Sequence, residues 1–268
     1  MPSPGVVCAL TRDRLDPVRP PLDVARLTPL GVEVVAQTGS TNALVADRAR
    51  EGAHAGLVVA TEHQVAGRGR LDRTWETPDR AALTFSVLWR PTRPGAEWPW
   101  LPLVAGVAAV RALREHGVDA GLKWPNDVMV GDHKLAGILA ERVETPTGPA
   151  AVLGIGLNVD QTREELPVAT ATSVTLATGT APDRTGLLAS LVTRLHEEYA
   201  AWQSGGGPAL RAAYLDACVT VGRQVRVLLP GGEELVGVAE DVDGAGRLVV
   251  AGRAVAAGDV VHVRPTGA

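Results

Sequence analysis

The pattern of apolar residues changes character twice along the chain, and this limits the fold more than any other feature. From Gly31, runs of alternating or continuous apolar residues at strand length are interleaved with segments of helical period. Residues 31–37 read as a strand that ends at a Thr-Gly-Ser-Thr turn. A helix follows from Asn42 to Arg50, with Thr38 or Ser40 as its cap and Gly52 as its stop. Further strands fall at 56–64, 81–91, 121–127, 134–143 and 150–160, with a turn near Gly131 and a polar loop over 66–80. Residues 98–116 read as a buried helix. A long amphipathic helix runs from Pro182 to Trp202 and stops at Gly205, and a shorter one spans Pro208 to Cys218. From Val219 only short Val-rich runs remain, separated by Pro-Gly-Gly, Asp-Gly and Ala-Gly turns, which predicts a small β-barrel. The expected organisation is an N-terminal extension over 1–30, loosely ordered and ending in a short helix near Leu22–Leu27. An α/β (α+β) domain over 31–218 and an all-β domain over 219–268 follow.

Composition excludes several function classes. The 268 residues are 46% apolar and 21% charged, a globular balance rather than a disordered one. The longest nearly unbroken apolar run, Trp98 to Val110, is too short to span a bilayer and carries Pro99 and Pro102. The N-terminus has no basic region ahead of an apolar stretch, so no secretory signal is read and a cytoplasmic protein with no membrane partner is expected. The two cysteines, Cys8 and Cys218, are too few and too distant for a disulfide framework or a cysteine zinc site. The histidines are scattered. A net charge of −4 supplies no basic field for nucleic acid, and residues 1–30 are too short for a DNA-reading domain.

Of the 26 basic residues only Lys123 and Lys134 are lysines. A chain that uses arginine everywhere else keeps two ammonium groups close together, as if a guanidinium were not equivalent there. Upstream, Gly67-Arg68-Gly69-Arg70-Leu71-Asp72-Arg73 alternates glycine with arginine. Such a loop can be a solvated turn, or an anion trap with free amides and converging guanidiniums. Lys123-Trp124-Pro125-Asn126-Asp127 closes a predicted strand, and Pro125 fixes a turn after Trp124. It reads either as a structural corner or as a ligand-facing strand end. Gly137, Gly154 and Gly156 lie inside strands, which weakens them unless another group comes close. Thr38 to Asn42 offers hydroxyls and an amide where a helix starts, and a plain helix cap explains them equally well.

Taken together, Gln-Thr-Gly-Ser-Thr-Asn, Glu62 to Arg70, Lys-Trp-Pro-Asn-Asp, Lys-Leu-Ala-Gly-Ile-Leu and Gly-Ile-Gly-Leu-Asn resemble the biotin protein ligases in order and spacing over about residues 31–265. The resemblance implies a mixed sheet backed by helices, like that of class II aminoacyl-tRNA synthetases. It implies biotin and ATP as substrates with Mg²⁺, and biotinyl-5′-adenylate as intermediate. The implied partner is the biotin carboxyl carrier domain of an acyl-CoA or pyruvate carboxylase. The monofunctional form, as a monomer or weak homodimer, is expected. Residue by residue, it assigns biotin contacts to Ser40, Thr41, Asn42, Gln64, Gly67, Arg68, Gly69, Arg70, Lys134, Gly137, Gly154 and Gly156. Arg70, Arg73, Trp75, Lys123, Asn126 and Asn158 fall to ATP and the adenylate. Lys134 and Arg70 are the implied catalytic pair, and Asp127 the implied metal ligand. Asp72 departs from the family pattern and bears on the pose of Arg73. Lipoate-type ligases and transferases share the architecture, and a non-catalytic biotin sensor is the alternative of another class. A thiol-dependent transferase would need a cysteine within the motifs, and none is there.

Overall fold

The computed structural model describes residues 19–71 and 73–263. Residues 1–18 of the N-terminal extension, Cys8 included, and Asp72 lie outside the described residues. The short helix expected near Leu22–Leu27 is α1, Val24–Leu27. It belongs to a segment pinned to the main body. Leu22 and Leu27 enter the core, and Arg19 pairs with Asp160 and with Glu165 at 2.6 Å.

The main domain is a seven-stranded mixed sheet. Its strands are β1 (Val32–Thr38), β2 (Val58–Gln64), β5 (Ala82–Trp89), β6 (Gly121–Lys123), β7 (Asp127–Val130), β8 (His133–Val143) and β9 (Ala150–Asn158), in spatial order β1-β2-β5-β9-β8-β7-β6. Only β1 and β2 pair in parallel; the other ladders are antiparallel. The strand expected over 121–127 is two strands, because Trp124-Pro125 interrupts the ladder and Asp127 opens β7. The expected loop 66–80 holds a two-stranded hairpin, β3 (Gly67–Arg68) with β4 (Thr74–Trp75).

Period-two alternation sends successive residues of a strand to opposite faces. On one face Leu83, Phe85 and Val87 of β5 and Leu153, Ile155 and Leu157 of β9 join a single core. That core includes α3 (Leu101–Glu115), α5 (Arg184–Gln203) and α6 (Gly207–Ala217). Helix α3 is buried almost all round, as its small apolar residues predict. On the other face α2 (Thr41–Arg50), capped by Ser40, covers only one end of the sheet with Val45 and Ala49 over Val59, Leu88 and Val152. The rest of that face stays open and becomes the site. A short helix, α4 (Val174–Thr178), stands in the Thr-rich connection after β9.

The C-terminal unit is a five-stranded antiparallel sheet of β10 (Gln224–Leu228), β11 (Glu234–Val242), β12 (Leu248–Val250), β13 (Arg253–Val255) and β14 (Asp259–His262), in order β13-β12-β11-β10-β14. It is docked by specific bonds. Trp100 Nε1 donates to the Gly244 carbonyl at 2.9 Å and Trp124 Nε1 to that of Gly246 at 3.0 Å. Arg211 clamps Asp241 at 2.5–2.6 Å. The Lys-Trp-Pro-Asn corner is thus held against the second domain.

One buried ion pair fixes the N-terminal segment. Arg184 donates to Glu62 at 2.9 Å and to the carbonyls of Ala82 and Pro20 at 3.0 Å, while the Leu22 amide donates to Glu62 at 2.5 Å. Both side chains are under a tenth exposed. Glu62→Gln keeps the volume and leaves a buried guanidinium without its counter-charge. It should cost about 2 kcal/mol, the worth of a charged hydrogen bond lost in the interior. Thermal unfolding should fall by roughly 5 °C, and an unchanged midpoint would show the pair to be idle.

Candidate active site

The register explains the floor of the site. Thr84 pairs with Gly156, Gly156 with Gly137, and Gly137 with Asp127, so these residues form one cross-strand row. The next row is Ser86–Gly154–Leu139, and the one after it is Leu88–Val152–Glu141. All three rows face the α2 side. The outermost packs under α2, and the two glycine rows carry little bulk, so other groups descend onto them. A Cβ on Gly154 would overlap Asn42 Oδ1, and one on Gly156 would stand 2.7 Å from Trp75 Nε1. One on Gly67 would overlap the Trp75 carbonyl and Gln64 Nε2. These glycines are therefore packing requirements, met by Asn42 over one row and the Trp75 indole over the other.

The resulting cavity contains ≈ 820 Å³ of space, its mouth included. Its walls bring together Ser40, Thr41, Asn42, Gln64, Arg68, Gly69, Arg70, Arg73, Trp75, Asn126, Asp127, Lys134, Gly137, Gly154 and Gly156 from six separate stretches of sequence. Gly67 lies behind the wall, in strand β3 of the hairpin. Lys123 and Asn158 are not brought to the wall. The Asn158 amide is consumed by the Thr172 carbonyl and Gln161, each at 3.0 Å. Lys123 stands behind Asp127, where burial lowers its pKa and Asp127 opposes the shift.

Lys134 reaches the cavity through a β-bulge. Val128 pairs with Ala136, but Met129 pairs with Lys134, so β8 carries an extra residue. Strict alternation would give Lys134 the same side as Ala136, which is in the core. The bulge breaks the alternation: Leu135 is buried and the Lys134 ammonium meets Asp127 Oδ1 at 2.6 Å. Gly137 leaves the room; a Cβ there would be 3.3 Å from Nζ.

Each arginine of the loop has its own oxygen partner. Arg70 donates to Asn126 Oδ1 at 2.9 Å and to the Gly258 carbonyl at 3.3 Å. Arg73 pairs with Asp259, and Arg68 with Glu141 at 3.3 Å. Burial lowers the Arg70 pKa, whereas the hydrogen bond to Asp259 raises that of Arg73. Lys123, Lys134, Arg70 and Arg73 therefore gather around Asp127 and Asp259, four cations against two carboxylates among the described residues. Such a site attracts anions. It does not build a resident metal cage. Asp127 is already salt-bridged, and no three His, Cys, Asp or Glu cluster among the described residues.

Sequence reasoning missed Thr84, Ser86, Leu139, Glu141 and Asp259. The hydroxyls at alternate positions of an otherwise apolar strand, Thr84 and Ser86, were a usable signal. Asp259 had none, since it arrives from the second domain. Cys218 lies outside the cavity wall, and burial pushes its thiol pKa up, which opposes a nucleophilic role.

Between the domains, His262 Nε2 is 3.2 Å from Thr220 Oγ1. Burial, then Lys123 and Arg223, lower its pKa from 6.5 to about 4, and Asp132 opposes the shift. Protonation is thus harder in the folded state. This group's contribution to stability is intact above about pH 6.5 and is lost as the pH falls toward 4. His262→Gln should flatten the acid side of the thermal-stability profile between pH 6.5 and 4. An acid limb identical to the parent's would remove His262 from that role.

A mixed sheet with a glycine floor, closed by an arginine hairpin, fits the biotin/lipoate ligase class, to which its relatives point. The family model for the Biotin/lipoate A/B protein ligase family matches residues 34–159, and the one for the Biotin protein ligase C terminal domain matches 220–263. The Biotin--[acetyl-CoA-carboxylase] ligase of Mycobacterium tuberculosis is 44% identical over 94% of this chain and 99% of its own length. The Bifunctional ligase/repressor BirA of Escherichia coli is 34% identical over 82% of this chain and 68% of its own. A solved biotin protein ligase from Aquifex aeolicus, in complex with biotin and ATP, superposes with TM-score 0.75 at 25% identity, covering 87% of this chain and 99% of that one. The chain belongs to the biotin protein ligase family. No helix among the described residues is long and apolar enough to cross a membrane.

Proposed function

We propose that this chain activates biotin with Mg-ATP and transfers it to a lysine of a biotin carboxyl carrier domain. The observation that carries the reading is the row Thr84–Gly156–Gly137–Asp127, a floor without bulk that ends at the cation cluster. A flat bicyclic urea with an apolar tail would lie in the cavity beside the Trp75 indole, which itself rests on that floor, with its ureido group toward Thr41 and Gln64. Gln64 Oε1 accepts from the Thr41 amide at 2.9 Å, which leaves Nε2 free to donate to a ligand carbonyl.

The carboxylate then lies among Lys134, Arg70 and Arg73. In the first step a carboxylate oxygen attacks the α-phosphorus, the bond to the bridging oxygen breaks and pyrophosphate leaves. Lys134 and Arg70 offset the repulsion between two anions brought within bonding distance. Arg73 neutralises the departing charge, with Lys123 adding positive field from behind Asp127, and Trp75 offers an aromatic face to the adenine. Mg²⁺ carried with the nucleotide would supply its counter-charge, and Asp127 and Asp259 are the cavity carboxylates that could face it. In the second step the acceptor amine attacks the acyl carbon, AMP departs, and the amine proton passes to solvent or to Asp127.

The test is pyrophosphate exchange into ATP. Exchange that depends on biotin and ignores lipoate supports the reading. Exchange driven by lipoate, or none with either acid, overturns it.

A further inference from the structure

Glu141 sits where β8 passes between the start of α2 and the arginine hairpin. It is bonded to both. Asn42 Nδ2 donates to Glu141 Oε2 at 2.6 Å, and Arg68 Nη2 lies 3.3 Å from each carboxylate oxygen. Asn42 itself is committed: its other donor contact is the Leu139 carbonyl at 3.3 Å, and its Oδ1 accepts from Ser86 Oγ at 2.6 Å. Ser86 Oγ is also 2.8 Å from Thr41 Oγ1, which is bonded to Gln64. An unbroken run of close polar contacts therefore leads from Gln64 through Thr41, Ser86 and Asn42 to Glu141 and Arg68; each hydroxyl holds one proton, so that of Ser86 serves either Thr41 or Asn42.

An ionised carboxylate can only accept. It turns the Asn42 amide so that NH₂ faces Glu141 and Oδ1 faces Ser86. The same charge holds Arg68 from the other side. We propose that Glu141 is a positioning residue that couples the polar wall of the biotin pocket to closure of the 66–75 hairpin. A bound ligand that orders the wall through Gln64 and Thr41 would thereby strengthen the grip on Arg68, and an open hairpin would loosen the wall. This rests on the proposed function for the identity of the ligand, but the latch itself does not.

Glu141→Gln keeps an acceptor for Asn42 and presents a second NH₂ to Arg68, which breaks the link at the hairpin side. Arg68→Ala breaks it from the loop, where the side chain is half exposed and its loss cannot unfold the core. Each variant should speed amide hydrogen exchange over 66–75 in the ligand-free protein about fivefold, and speed biotin release by a similar factor. The double variant should be no worse than the more affected single one, as expected for two ends of one interaction. In Glu141→Gln the KM for biotin should rise while kcat at saturating biotin stays within about twofold, a split that general destabilisation would not give. Unchanged exchange over 66–75 in both single variants, or losses that multiply in the double variant, overturns the proposal. A parent that binds no biotin would overturn the functional reading, while the exchange measurement would still decide the role of Glu141.

Discussion

Lys134→Arg is expected to fold normally, bind biotin to a useful degree, and form adenylate at least about a hundredfold more slowly. Charge alone predicts tolerance, because the chain uses arginine at every basic position except Lys123 and Lys134. Geometry predicts the reverse. The ammonium occupies a small space between Asp127 Oδ1, 2.6 Å away, and the bare backbone of Gly137. From there three donors can be aimed at Asp127, the biotin carboxylate and an α-phosphate oxygen together. A guanidinium is wider and planar, and directs its donors along a fixed fork. It would satisfy Asp127 with a bidentate pair and push the reacting atoms apart. A misplacement of ~1 Å can cost on the order of a hundredfold in rate. Single-turnover adenylate formation at saturating ATP and biotin measures this. A variant that keeps more than about a tenth of the parent rate would mean that Lys134 supplies only charge.

Much of this site is legible in the sequence, and the parts that are not have a physical reason. The motif residues at strand ends and in the Gly-Arg loop declare themselves by their combination and order, since each alone reads equally well as a turn, a corner or a close packing contact. Lys134 declares itself by rarity. Its direction does not, because alternation along β8 would turn it toward the core, and only the bulge opposite Met129 brings it to the cavity. Register is likewise invisible locally. Nothing in Leu88-Trp89 or Ala140-Glu141 shows that Leu88, Val152 and Glu141 stand side by side, so Glu141 reads as an ordinary exposed strand residue. Asp259 and Gly258 come from a second domain, and the docking that delivers them depends on Trp100 and Trp124 finding loop carbonyls far along the chain. Asn158 is a different case. Its motif points to the nucleotide, but its amide is used to hold the turn after β9.

The glycine rows allow a second large effect to be stated. Gly156→Ala adds one methyl group at a position whose backbone conformation any residue can adopt, so the sheet should still form. The added carbon points at the Trp75 indole, 2.7 Å from both Nε1 and Cζ2, well inside van der Waals contact. The indole must lift. Trp75 is tied through its own backbone to Gly67 in the hairpin, so lifting the ring also moves the strand that carries Arg68. Both substrates then lose their walls, and kcat/KM for adenylate formation should fall at least about a hundredfold, nearly 3 kcal/mol of transition-state stabilisation. The cause can be separated from simple crowding of the ligand. In a Trp75→Ala background the new methyl has no indole to strike, and Gly156→Ala should cost less than about threefold more. Equal costs in the two backgrounds would show that the methyl obstructs the ligand directly and that Trp75 does not lie on the floor.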